Sequence, residues 1–361
     1  MLINNGNHFF LGGNTPIGFY SLFHEALKLK EANRIFCFKG GPGTGKSSLM
    51  KEIGKDYEDS GHDIEYFHCS SDSSSLDCVL IKDLKVALFD GTAPHIIDPK
   101  IPGAIDEIVD LGKLWNEDKL IEQKNEILKV QNSITKSFNR AYRYFKASSD
   151  VYSEWCFLNK EALNIGKFTL LMEEVKDKIY KTPITQIGVE RNLFITAFTP
   201  TGIVTFIDDL INTCDETYVL NGPPGIGKHE LLTYLKDEGL KRGFNIDVFH
   251  SPVLPNEIEH IFIRDLNICI VSSNELNQKS FNGKQIYMEN VLDYSILNAN
   301  SDKISTAKNY FYDLLTTGLS SLTEAKKYHD DIENFYIPNM NFQKISDVKK
   351  YIEDKIDIFL P

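Results

Sequence analysis

Apolar residues gather in short runs between polar stretches, and the runs come in two matching series. In the first, residues 8–12, Ile35–Phe38, Ile64–Cys69 and Val86–Phe89 read as strands. Residues 104–180 then carry helical spacing, with Ile134, Phe138, Ala141, Tyr142 and Phe145 forming one stripe that predicts a core-facing helix. The second series opens at 193–198, continues through the strand-like 217–220, and closes on a helical stretch at 302–357. Strands alternating with helices predict parallel βαβ units, with ligands at the carboxyl ends of the strands.

The strand at Ile35–Phe38 runs into Gly40-Gly41-Pro42-Gly43-Thr44-Gly45-Lys46-Ser47, with Ser48 following as a helical pattern begins. This is the G-x-x-x-x-G-K-[ST] spacing in a strand–loop–helix context. Glycines let backbone N–H groups wrap phosphates without side-chain clash. The next helix points its positive end at the same anion. Lys46 is expected to reach the β- and γ-phosphates, and the Ser47 hydroxyl to bind Mg²⁺. Val86-Ala-Leu-Phe-Asp90 supplies the expected second metal residue, Asp90, at a strand end. The loop after Ile64–Cys69 places Asp72 near the γ end, and His95 follows Asp90 closely; both are candidates for water activation or γ-phosphate contact.

The same loop returns as Gly222-Pro-Pro-Gly225-Ile-Gly227-Lys228-His229, 182 positions on from Gly40 to Gly222 and from Lys46 to Lys228. The offset also pairs Phe67-His68 with Phe249-His250 and Asp83-Leu84 with Asp265-Leu266. The chain is thus read as α/β, a tandem duplication of P-loop NTPase units with mostly parallel sheets, each followed by a long helical segment. The units are residues 1–185, expected to be competent, and 186–361, expected to be degenerate, with the joint near Lys181–Val189. In the second, Ser47 becomes His229, Asp90 becomes Ser272, Asp72 becomes Leu254 and His95 becomes Asn277. Gly222, Gly225, Gly227 and Lys228 remain, held either by bound phosphate or by packing between halves.

Composition narrows the field. Hydrophobic residues are 42% and charged residues 25%, an ordinary globular mix. A balance of 39 Lys and Arg against 51 Asp and Glu gives a net charge of −12, which disfavours coating of nucleic acid. Lys136, Arg140 and Arg143 form a basic stripe that reads as the solvated face of an amphipathic helix. Arg264, aligned with Lys82, is either a surface cation or one that faces across an interface between the halves. No apolar run is long enough to span a membrane, and the N-terminus lacks signal-peptide character. None of the six cysteines forms a CxxC pair, so reduced thiols and a cytoplasmic location are expected. No HExxH or GxSxG motif appears, which removes zinc-hydrolase and serine-hydrolase readings.

The segments GGPGTGKSSLMKEIG, IEYFHCSSDSSSLD and FDGTAPHIIDPKIPGAIDEIVDLG resemble a family of bacterial tandem P-loop proteins, described only as ATPase-like or nucleotide-kinase-like. The resemblance covers nearly the whole chain, with Asp90–His95 its most specific part. It implies a cytoplasmic ATP-binding protein and names no substrate. The second loop in such proteins commonly keeps Ser or Thr, so His229 is a departure that bears on Mg²⁺-dependent turnover there. With no NKxD motif after either loop, adenine is the expected base. Two functions remain open: ATP hydrolysis or phosphoryl transfer in the first half, and a nucleotide-binding regulator or scaffold with little turnover. A protein or small-molecule partner is expected, of unknown identity.

Overall fold

A computed structural model describes residues 7–92, 97–277 and 279–361. The first half contains β1 (Asn7–Phe9), β2 (Gly12–Thr15), β3 (Gly18–Ser21), β4 (Arg34–Lys39), α1 (Lys46–Asp59), β5 (Ile64–Cys69), β6 (Asp72–Ile81), β7 (Val86–Asp90) and β8 (Asp106–Asp110). It ends in three helices, α2 (Glu117–Glu122), α3 (Lys124–Lys160) and α4 (Ile165–Ile179). The second half begins with β9 (Glu190–Leu193), β10 (Thr196–Thr199), β11 (Gly202–Thr205), α5 (Ile207–Thr213) and β12 (Glu216–Asn221). It continues through α6 (Lys228–Lys241), β13 (Ile246–His250), β14 (Ile258–Ile263), β15 (Ile268–Ser272) and β16 (Lys284–Tyr287). Helices α7 (Tyr294–Ala299), α8 (Ser301–Tyr336) and α9 (Ile345–Ile356) complete it.

Each half forms a six-stranded sheet of one topology, β1-β5-β6-β7-β4-β8 and β9-β13-β14-β15-β12-β16. Five strands of each sheet run parallel. The sixth, β6 or β14, is antiparallel to both neighbours. The alternation of strands and helices did not foresee these two strands. Their connections are the reason for the direction: residues 82–85 join β6 to β7, far short of the dozen or so residues a parallel crossover needs. The hairpins β2–β3 and β10–β11 were also not foreseen, and α5 follows the hairpin in the second half.

The strands are apolar on both faces, as doubly covered sheets require. Phe36, Phe38, Tyr66, Val79 and Leu88 pack against α1. Their neighbours Ile35, Cys37, Phe67, Cys78 and Phe89 face the other sheet, meeting Leu193, Ile195, Phe249 and Val271. The halves are related by a pseudo-twofold through Phe10 and Phe194, whose backbones exchange N–H···O bonds of 2.9 and 3.0 Å. Beside this axis Arg191 donates to both carboxylate oxygens of Glu65 (2.7 and 3.0 Å) and of Asp247 (2.9 and 2.9 Å). Both carboxylates are buried, so the guanidinium fork satisfies two charges that could not stand alone. Arg264 Nε lies 3.5 Å from Asp247 Oδ1 at this seam.

The helical segments are exchanged. Helix α3, about 55 Å long at 1.5 Å per residue, packs antiparallel along α8, with Ser137 bonded to Glu324 at one level and Phe145 against Gly318 at another. The stripe of Ile134, Ala141 and Phe145 is buried as expected, with Phe138 and Tyr142 packed beside it. Each long helix then delivers its C-terminal segment to the opposite half. Ala162, Phe168, Val175 and Ile179 join the core around α6. Met340, Ile352 and Ile356 join the core around α1. Tyr180 donates to Leu235 O at 2.9 Å, and Tyr57 to Asp357 Oδ1 at 2.6 Å, sealing the two docks. The six cysteines are not all reduced thiols: Cys214, after α5, and Cys269, in β15, are joined as a disulfide with Cα atoms 6.3 Å apart. Among the described residues no helix is long and apolar enough to cross a membrane.

Candidate functional site

The first glycine loop leaves β4, the strand between β7 and β8, and turns into α1. Gly43 and Gly45 take φ of 66° and 84°, left-handed values at which a side chain is strained, and Gly45 caps α1. Thr44 Oγ1 closes the loop by donating to Gly41 O at 2.9 Å. Lys46 turns inward and is buried, its Nζ donating to Gly40 O at 2.8 Å and Gly41 O at 2.9 Å. Asp90, opposite Phe38 at the end of β7, brings Oδ2 to 3.6 Å from the same ammonium. Burial lowers the Lys46 pKa, and the carboxylates of Asp90, Glu333 and Asp77 work against that shift.

Ser47 Oγ accepts from Leu76 N at 2.9 Å, tying α1 to β6. A hydroxyl oxygen keeps a second lone pair, so Ser47 and the Asp90 carboxylate are hard oxygen donors flanking Lys46, a set that fits Mg²⁺. Asp90 Oδ1 is fixed by Thr92 N at 2.9 Å and by the Thr92 hydroxyl. Pro42 is half-buried and Ser48 exposed. Asp72 stands apart from this group. Its Oδ1 accepts from Ser74 N and Oγ (3.1 and 2.6 Å), and its Oδ2 lies 3.3 Å from Lys326 of α8. Burial pushes its pKa up, but Ser74 and Lys326 outweigh that and hold it below the usual range. His95 lies outside the described residues.

The second glycine loop has the same backbone. Gly225 and Gly227 take φ of 77° and 95°, and Lys228 donates to Gly222 O at 2.7 Å and Ser273 O at 3.1 Å. Ser272 pairs with Leu220 as Asp90 pairs with Phe38, so a hydroxyl stands where the first half has its carboxylate. His229 Nδ1 accepts from Ile258 N at 2.9 Å, the bond Ser47 makes with Leu76. The substitution therefore keeps the tie between helix and antiparallel strand while losing the small hydroxyl.

Sequence reasoning missed two features. One is a buried acid in the antiparallel strand, Asp77 in β6 and Glu259 in β14, one step beyond the Cys78–Phe89 and His260–Val271 pairs. The signal was available: an acid at the same offset in two apolar runs, LDCVLI and IEHIFI. Burial, then the neighbouring Glu275, push the Glu259 carboxyl up to about 8. The other is the roof over each loop. Trp115 and Tyr336 stand over Gly41, Ile337 over Gly43 and Phe342 over Gly45. In the second half Cys156 lies on Gly225 and Phe168 on Gly227, while Asn159 Nδ2 donates to Pro224 O at 2.8 Å. Roof residues about 60 to 300 positions from their loop leave no local signal.

A family model described as Nephrocystin 3, N-terminal, matches residues 20–84, which hold the first glycine loop, α1, β5 and β6. No curated protein and no solved structure matches the chain.

Proposed function

We propose that the chain binds Mg²⁺·ATP at Gly40–Ser47 and there hydrolyses it or transfers its γ-phosphoryl group. The observation that carries this reading is Lys46, buried inside a left-handed glycine loop at a strand–helix junction with Asp90 at 3.6 Å. An ammonium satisfied by two loop carbonyls, the Thr44 hydroxyl at 3.4 Å and a carboxylate is poised to exchange them for phosphate oxygens. Backbone N–H groups of the loop and the N-terminus of α1 would hold the same anion. Ser47 and Asp90 would hold the Mg²⁺, which supplies charge neutralisation as the bond from the γ-phosphorus to the bridging oxygen breaks. Water or an acceptor hydroxyl makes the new bond, and the nucleoside diphosphate leaves with the electron pair.

A second reading, a nucleotide-responsive regulator with little turnover, is favoured by the exchanged helices that cover both loops. Calorimetric titration of the full chain with Mg²⁺·ATP tests binding, and phosphate release separates the two readings. One site lost in Lys46→Ala supports the assignment. Loss in Lys228→Ala alone overturns it.

A further inference from the structure

The first glycine loop is roofed by a helix of the other half, and that helix brings a carboxylate with it. Pairing Ile179 with Ile356 sets Cys156 of α3 in the same place as Glu333 of α8, an offset of 177 positions. The structure bears out the equivalence at the loops. A Cβ built on Gly225 would meet Cys156 O at 2.1 Å, and one built on Gly43 would meet Glu333 Cβ at 3.7 Å, beside Ile337 Cγ1 at 2.6 Å. Position 333 thus stands over the glycine that precedes Thr44 and Lys46. Its carboxylate is one of three, with Asp90 and Asp77, whose charge acts on the Lys46 ammonium. His329 Nδ1 lies 3.8 Å from Glu333 Oε1, one helical turn back.

The second site draws its acids from other positions. Cys156 replaces the roof carboxylate and Ser272 replaces Asp90, while Glu275, Glu259 and Glu289 act on the Lys228 ammonium, so the roof acid is particular to the first site. A site that gathers three carboxylates around one ammonium repels a bare nucleoside triphosphate. A divalent cation reverses that, because the complex carries two fewer negative charges.

We propose that Glu333, contributed by the second half's long helix, is a specificity-determining residue of the first site that makes nucleoside triphosphate binding there depend on a divalent cation. The proposal rests on the nucleotide reading above. Glu333 acts by charge, from beside the lysine that would meet the β- and γ-phosphates, so its influence is larger on ATP than on ADP. The first site is then incomplete without the helix that the second half lends it.

The test is titration of the full chain with ATP and with ADP, each in excess Mg²⁺ and in EDTA, for the unmodified protein, Glu333→Gln, Glu333→Asp and Lys46→Ala. Thermal melting of each variant monitors folding. Glu333→Gln should bind Mg²⁺-free ATP about tenfold more tightly while Mg²⁺·ATP changes by less than about twofold, and ADP should respond less. Glu333→Asp keeps the charge and should keep the unmodified Mg²⁺ dependence. Glu333→Ala, which removes the charge by truncation, should repeat the glutamine result and serves if Glu333→Gln fails to fold. An unchanged ratio of Mg²⁺-free to Mg²⁺-bound affinity in a folded, charge-free variant overturns the proposal alone. So does a loss of Mg²⁺·ATP affinity confined to the Mg²⁺ arm, which would make Glu333 a metal ligand instead. If Lys46→Ala binds as the unmodified chain does, the nucleotide reading itself fails and takes this proposal with it.

Discussion

Lys46 and Lys228 occupy the same turn of the same backbone, yet their surroundings have diverged in opposite directions. Around Lys46 the second anchor is a carboxylate, Asp90, and the roof is made of side chains that meet the loop by their tips. Around Lys228 the second anchor is a neutral carbonyl, Ser273 O, and the roof meets Gly225 by backbone, Cys156 O and Cα, and Gly227 by the Phe168 ring. Asn159 and the Lys160–Glu230 pair, at 2.7 Å, fasten α3 to the same loop. The comparison teaches that a glycine-rich loop can be retained for two reasons. In the first half the glycines leave an inward-facing lysine beside a carboxylate. In the second they leave room for a neighbouring helix.

Substituting the matching glycines should break that equivalence most sharply. Gly225→Ala puts a side chain at positive φ and into the Cys156 backbone, which cannot yield cheaply. A loss of about 4 kcal/mol of folding stability is expected from the combined strain and overpacking. Gly43→Ala meets the flexible end of Ile337 and should cost about half as much. Denaturant melts of the two variants measure the difference, and equal losses would mean that the roofs are energetically alike.

The buried acids give a pH-dependent contrast. An ordinary glutamate ionises near 4.5, whereas Glu259 in the folded chain does so at about 8. Across that window the folded chain holds a proton that the unfolded chain lacks, so stability falls as pH rises and the full penalty is present above 8. Glu259→Gln removes the penalty. It should gain up to about 5 kcal/mol at pH 9 and next to nothing at pH 4, read as the difference in melting midpoint.

For the ligand, Lys46→Ala should weaken Mg²⁺·ATP about a hundredfold, the scale of a lost charge-assisted contact to phosphate, while Lys228→Ala stays within a few-fold. A smaller effect than that of Lys46→Ala belongs to Asp90→Asn. It keeps the bonds from Thr92 but loses the charge beside Lys46 and the metal, and should lower the Mg²⁺ contribution to binding about tenfold. A folded Asp90→Asn with unchanged Mg²⁺ dependence would reduce Asp90 to a strand-end residue.

What could be read from sequence tracks how local each signal is. Repeat, glycine loops and core stripe of α3 were legible because their patterns lie within contiguous segments, and the offset of Lys46 and Lys228 made the duplication plain. Strand β6 was hidden because its first residues, Asp72–Ser75, are polar and resemble a loop, while its pairing is set by neighbours on both sides. Asp72 looked like a ligand-facing acid from its place after β5, but its partner Lys326 comes from the other half. The Arg191 seam and the docking of α9 on α1 involve residues 126 and about 300 positions apart, beyond the reach of periodicity or motif.

The exchange of helices also fixes the order in which a nascent chain can finish. Residues 36–111 make most of one core as they leave the ribosome, but Met340, Ile352 and Ile356, which close it, follow about 250 residues later. At the usual 5–20 residues per second that interval is roughly 10–50 s. Through it the apolar face awaiting α9 is bare, and Lys46 has no roof. The second half closes in the opposite order, since its covering segment, residues 162–180, is made before the sheet it covers. The half that carries the complete set of candidate site residues is therefore the later of the two to be closed, and no Glu333 stands over Gly43 until α8 has left the ribosome.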